Sequence, residues 1–345
     1  MANCQVVANG FDSVKMNGTE NLQNSVATDT QNSTQENAIN AAIEQNGREP
    51  PAANQKRGFS IFSLTLWHFS VPIPVKLSIL VLVIFVFALI CQSLDLTNRV
   101  PPLAQPSSVM NSIFVKWGWL WTLCAVAPFI ALTAYVYCLG NACAVLRHLS
   151  RLVVGHIVWW VTVNSIVQLE RFTRVCCATN STSCAVDALL ERLSGTQNQS
   201  VSACDSPDAT SWSVDISGHC FLMLYSILII SEEAKVMRKW DQFLQFISRA
   251  RQTEWGSVYE TALQRYISLT PFVKFWLVLG LMGLNLVWYY CISLTALFHH
   301  TLVDKMLGCL VAILFWLLTY RLWYKKCPKW SPGIPGQSFV KVETF

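Results

Sequence analysis

Residues 271–323 read PFVKFWLVLGLMGLNLVWYYCISLTALFHHTLVDKMLGCLVAILFWLLTYRLW. Two apolar runs, 271–297 and 302–323, stand back to back with His299 and His300 in the short break between them. Each is long enough to cross a hydrocarbon core of about 30 Å as a helix, which takes roughly 20 residues. In lipid a helix satisfies every backbone N–H and C=O within its own segment. A break this short therefore predicts a helical hairpin whose turn, with both histidines, lies at one membrane face.

Outward from this hairpin, apolar runs of spanning length recur at 75–94, 113–139, 149–169 and 214–231, which makes six in all. The predicted fold is an all-α membrane protein, a bundle of six transmembrane helices. Composition points the same way: 53% of the 345 residues are hydrophobic and 13% charged, against roughly a quarter charged in soluble chains. The 14 tryptophans suit membrane interfaces. A net charge of +5, with no basic stretch interleaved with aromatic residues, argues against a nucleic-acid partner. The first 20 residues contain no apolar core of the kind a cleavable signal needs, so the first span is expected to direct the chain to its membrane.

Three regions follow. Residues 1–57, rich in Asn, Gln, Ser, Thr and Ala without a periodic apolar face, read as a disordered cytosolic tail. Residues 58–336 are expected to form a six-span membrane domain, and 337–345 a short cytosolic C-terminal tail. Phe62, Leu66, Trp67 and Phe69 suit an interfacial segment that Pro72 and Pro74 end.

Basic residues near span ends set the orientation, because they resist translocation. Lys56, Arg57 and Lys76 precede or open the first span, and Arg147 and Arg151 lie between the second and third. Lys235, Arg238, Lys239, Arg249, Arg251 and Arg265 follow the fourth, and Lys325, Lys326 and Lys329 follow the sixth. These segments and both termini are predicted to be cytosolic. The third loop is then luminal, and four of the 13 cysteines, Cys176, Cys177, Cys184 and Cys204, crowd into it. In an oxidising lumen two disulfides are expected there. Asn180 and Asn198 head Asn-x-Ser/Thr triplets in the same loop and are the expected glycosylation sites.

The chemistry-bearing residues converge on the luminal side. Asp215-Ile216-Ser217-Gly218-His219 opens the fourth span, where a helix N-terminus offers unpaired amides to an anion. Asp215 or Ser217 can cap that helix, Gly218 lets a ligand approach the backbone, and His219 can protonate an oxygen leaving a phosphate. His300 shares this compartment. Asp304, four residues on, is expected to take a proton from one imidazole nitrogen and leave the other free to attack phosphorus, with Lys305 adding positive charge. His299 is the alternative to its neighbour, without an acid at that spacing. Glu232 and Glu233 read as a solvated helix end, and His68, His148 and His156 as structural. Asn164, Ser165, Asn285 and Thr295 are expected to bond between helices. No phosphate-cradling glycine loop, His-Glu-x-x-His or Gly-x-Ser-x-Gly is present, and no carboxylate cluster offers a magnesium site.

On these residues the chain resembles the fat storage-inducing transmembrane family. The resemblance rests on Phe114-Val115-Lys116 through Trp121, on Pro128 to Thr133, on Asp215 to His219 and on Phe298-His299-His300, and runs from residue 110 to about 336. It implies a six-span, lipid phosphatase-like protein of the endoplasmic reticulum membrane that hydrolyses fatty acyl-CoA and supports lipid-droplet formation. The implied products are acyl 4'-phosphopantetheine and adenosine 3',5'-bisphosphate, with no cofactor and no metal. Ser217-Gly218-His219 matches the second lipid phosphatase motif and His300 with Asp304 part of the third, implying His300 as nucleophile and His219 as acid. The first motif's Lys and Arg-Pro and the third motif's upstream Ser-Arg pair are absent, so the resemblance does not identify the phosphate-binding cations, and Lys116 and Lys305 are the candidates. Two other readings stay open: a phosphatidic or lysophosphatidic acid phosphatase, and a non-enzymatic protein that binds diacylglycerol or triacylglycerol.

Overall fold

A computed structural model of the chain describes residues 60–94, 96, 100–105, 107–177, 190, 210–250, 256–327 and 330–337. The tail 1–57, Asn180, Asn198, Cys184, Cys204, residues 338–345 and the side chains of Cys176 and Cys177 lie outside them.

A short helix α1, Ile61–Ser70, buries Thr65 and Phe69. Val71 and Pro72 then separate it from α2, Ile73–Ser93, which carries Pro74 in its first turn, where the missing N–H costs nothing. Next come α3, Gly118–Tyr137, and α4, Ala142–Thr173, capped by the Asn141 side chain accepting from the Ala144 amide. Helix α5, Gly218–Glu233, is followed by a 3-10 segment, Ala234–Lys239, and by α6, Trp240–Ala250. Helix α7, Gly256–Trp276, runs through a π-helical stretch, Leu277–Met282, into α8, Gly283–Phe298. Helix α9, Leu302–Trp316, continues through a second such stretch, Leu317–Trp323, into α10, Tyr324–Lys326.

Five of these stretches are long and apolar enough to cross a membrane: α2, α3, α4, Tyr259–Phe298 and Leu302–Lys326. The chain is an all-α membrane protein. The segment expected as the fourth span is different in kind. At 16 residues, α5 is about 24 Å long at 1.5 Å per residue, short of the roughly 20 residues a lipid-facing span requires. Every residue from Cys220 to Glu233 is buried, against α2, α3, α4, α8 and α9. A helix that is apolar on all sides belongs inside a bundle. Trp119 of α3 holds one flank, stacking on Tyr225 of α5 and on Trp159 of α4.

Two three-residue strands, β1 at Val175–Cys177 and β2 at Thr210–Trp212, pair antiparallel with Val175 opposite Trp212. They close the base of the long loop between α4 and α5. Beyond them the Thr173 hydroxyl accepts from the Val214 amide at 2.9 Å, which delivers Asp215 to the mouth of the bundle.

The far end of α5 corrects the reading of Glu232 and Glu233 as a solvated terminus, since they are 5% and 2% exposed. Arg151 of α4 grips Glu233 with two bonds of 2.8 Å, and the Tyr320 hydroxyl donates to the same carboxylate at 2.8 Å. Glu232 accepts from Trp316 at 3.0 Å and from Lys235 at 2.6 Å. His148, bonded to Arg151, contacts the Gln337 carbonyl at 2.9 Å, and Arg147 donates to the Ser331 carbonyl at 2.9 Å. The segment 331–337 is thereby strapped over this end.

Among the polar residues expected to join helices, Asn285 does so, its amide lying 3.1 Å from His68 on α1. Burial, reinforced by Lys76, lowers His68 to about 4, so its neutral ring accepts this bond. Asn164 and Thr295 instead turn back onto the Trp160 and Cys291 carbonyls of their own helices.

Candidate active site

Helix α5 begins at Ser217, whose hydroxyl accepts from the Cys220 amide at 3.3 Å. Of the two capping candidates, Ser217 is therefore the cap. The Ser217 amide donates to the Asp304 carbonyl at 3.1 Å, which joins the start of α5 to the start of α9. Gly308 makes this approach feasible: a Cβ there would stand 2.4 Å from the Ser217 carbonyl oxygen. At Gly218 a Cβ would meet nothing within 4 Å, so the backbone at the start of α5 is open to the approach of a ligand.

The second wall of the site is the turn between α8 and α9. His299 is extended, and its Nε2 donates to the Ala104 carbonyl at 2.7 Å. His300 takes φ of +60°, a left-handed conformation unusual for a residue with a Cβ. Such backbone is held only where the surroundings enforce it, and it concentrates at functional sites. It aims the His300 ring at α5, with ring centroids of His219 and His300 6.3 Å apart. Asp215 Oδ2 lies 2.9 Å from His300 Nδ1. A carboxylate accepts, so Nδ1 carries the hydrogen and Nε2 keeps its lone pair.

The expected partner of His300 thus changes. Helix α9 starts only at Leu302, so residues 300 and 304 do not share a helical face. Asp304 instead closes a capping box: the Thr301 hydroxyl and amide both donate to its Oδ2, at 2.7 and 3.0 Å. Thr301-Leu302-Val303-Asp304 carries the Ser/Thr-x-x-acid pattern that announces such a cap. Lys305, expected to face a phosphate, is wholly buried and donates to the Ala296 carbonyl at 2.8 Å. There its charge satisfies one of the last carbonyls of α8. Lys116 is exposed and lines neither chamber described next.

His300 stands between two chambers. One, of about 140 Å³, is bounded by His219, His299 and His300 and by Met110, Val115 and Leu294. The other, of about 450 Å³, lies on the Asp215 and Asp304 side and is walled by Ala88, Gln92 and Thr301. Asp215, His300 and Asp304 place ligand atoms within 4.8 Å of one another, the spacing a metal ion would need. Each carboxylate already has one oxygen engaged, by His300 and by Thr301.

The model of the family described as FIT, fat storage-inducing transmembrane protein, matches residues 101–320, which include both histidines and Asp215. The chain belongs to this family. Its relatives include the acyl-coenzyme A diphosphatase FITM2 of Homo sapiens, 33% identical over 68% of this chain and 77% of that protein. The Xenopus laevis protein of that name is 32% identical over 67% of this chain and 75% of its own length. The Caenorhabditis elegans protein is 30% identical over 64% and 69%. No solved structure matches. Within the fat storage-inducing family, then, this chain presents two imidazoles, one bonded to an aspartate, across a gap at the mouth of its bundle.

Proposed function

We propose that this chain is a fatty acyl-CoA diphosphatase. The observation that carries the reading is the pairing of His219 and His300 at 6.3 Å, with Asp215 on the Nδ1 of His300. The naming of its relatives as acyl-coenzyme A diphosphatases supports it.

In the proposed reaction the phosphoanhydride sits between the rings, its oxygens against the first amides of α5. His300 Nε2 attacks one phosphorus, and the bond from that phosphorus to the bridging oxygen breaks. Burial, with His300 and His299 beside it, lowers His219 to about 4. Its ring therefore takes a proton from solvent as the anionic substrate enters and gives it to the departing phosphate, and a phosphohistidine remains on His300. Water, deprotonated by His219, then attacks phosphorus and releases His300. The products are acyl 4'-phosphopantetheine and adenosine 3',5'-bisphosphate. Asp215 keeps the His300 tautomer and balances the charge that develops on the ring. The membrane is that of the endoplasmic reticulum, with the histidines on the luminal side, both termini cytosolic, and the products feeding lipid homeostasis and droplet formation.

Purified protein should turn over oleoyl-CoA in the presence of a chelator, and His219→Ala and His300→Ala should each abolish turnover. Full activity in both variants overturns the reading. Loss of activity on chelation assigns Asp215, His300 and Asp304 to a metal instead. Apolar Met110, Val115 and Leu294 around the histidines favour a second reading, binding of diacylglycerol or triacylglycerol. Lipid storage that survives His300→Ala selects it. Release of inorganic phosphate from phosphatidic acid in preference to cleavage of acyl-CoA selects the phosphatase reading.

A further inference from the structure

At the end of α5 remote from the histidines lies a third cavity, of about 400 Å³, within the range of about 300–1,000 Å³ usual for small-ligand sites. Three cations line it: Lys235, Arg238 and Lys239, all on the 3-10 segment that follows α5. Lys235 is compensated by Glu232 at 2.6 Å. Arg238 and Lys239 are exposed and pair with no carboxylate among the described residues.

The cavity is built by chain that has reason to be there. The Tyr137 hydroxyl donates to the Val236 carbonyl at 3.3 Å and fixes one wall. Gly336 also lines the cavity. Its φ of +74° suits glycine, and a Cβ there would crowd the Val236 side chain at 3.1 Å. The strap 331–337 that the Arg147 and His148 contacts hold down is therefore the lip of this basic cavity.

We infer that this cavity binds the phosphate headgroup of an anionic membrane lipid. Two uncompensated cations match a phosphomonoester, which carries about −1.5 to −2 at neutral pH. Its place at the end of an apolar helix favours a lipid over a soluble anion. Tyr137 is the last residue of α3, a helix of spanning length, so the cavity opens where the apolar stretch ends. Helix α6 runs away from it as an amphipathic helix, burying Trp240, Leu244 and Ile247 and exposing Asp241, Gln242 and Gln245. Phe246 on the same helix is 47% exposed, which suits an element lying in a lipid interface. The site is separate from the histidines and does not depend on the reaction proposed for them.

The test uses full-length protein in nanodiscs of phosphatidylcholine, with or without phosphatidic acid, followed by native mass spectrometry of retained lipid. Wild type should retain phosphatidic acid preferentially, and Arg238→Gln with Lys239→Gln should reduce that retention about 10- to 30-fold, the scale of two cations near a lipid surface. The charge-keeping pair Arg238→Lys with Lys239→Arg should restore it, and the acyl-CoA turnover of wild type should persist in both. Equal retention by wild type and the glutamine pair overturns the proposal. So does binding of inorganic phosphate that the glutamine pair abolishes while neither nanodisc is preferred, which would assign the cavity to a soluble anion.

Discussion

Asp215 and His300, 85 positions apart in the chain, meet at 2.9 Å, and the acid four residues beyond His300 does not take that place. Replacing Asp215 by Asn puts an amide where a pure acceptor stood and lets the wrong nitrogen of His300 carry the hydrogen. Turnover of oleoyl-CoA should fall by about 10²- to 10⁴-fold with little change in KM, the scale of losing a histidine-orienting carboxylate in a hydrolase. Thermal denaturation of the variant should match wild type. An undiminished kcat in Asp215→Asn would remove Asp215 from the mechanism.

Asp304 should behave oppositely. Its carboxylate bonds Thr301 at the start of α9, so Asp304→Ala should cost about 1 kcal/mol of stability, as lost caps do. Most of the activity should remain. A melting curve together with a rate separates the two aspartates, and a rate loss as large as that of Asp215→Asn would return Asp304 to the chemistry.

The two glycines at the α5 and α9 junction make a second contrast. Gly308→Val drives a side chain into the Ser217 carbonyl and should cost about 1–3 kcal/mol through overpacking while spreading the two histidines. Gly218→Ala meets no atom within 4 Å, so the protein should fold normally. If the phosphate rests on the first turn of α5, this methyl crowds it and kcat/KM falls. Wild-type kinetics in Gly218→Ala would place the phosphate elsewhere.

At the remote end, breaking the Arg151 and Glu233 pair leaves a buried charge alone, at a cost of about 3–5 kcal/mol. Arg151→Met and Glu233→Gln should each lower the melting temperature sharply in detergent. The double variant should recover part of the loss. Additive damage from the two changes would show that the ion pair is not the coupled unit.

Five of the six expected spans are legible because an apolar run of spanning length is a local signal that needs no partner to be recognised. His300 sits at the end of such a run, whereas His219 opens α5, whose apolar run faces protein on every side. What escaped the sequence depends on pairs far apart in the chain. Glu233 looks like a solvated terminus until Arg151, 82 positions earlier, is brought beside it. Spacing alone favours Asp304 for His300, but only with a helix already under way at 300, where the backbone is in fact left-handed. Lys305 illustrates the same limit, since its position in the first turns of α9 does not reveal that it faces inward to the Ala296 carbonyl.

Helix α5 is sheathed by protein along its buried length and barely meets the surrounding lipid. Hydrophobic mismatch acts on helices through their lipid-facing surface, tilting or stretching them to suit local thickness. The rod that carries His219 is shielded from that adjustment, and the turn that carries His300 is tied to it through Ser217 and Asp304. The distance between the imidazoles is therefore a property of the protein's interior, held constant as the enzyme passes between thin and thick regions of its membrane.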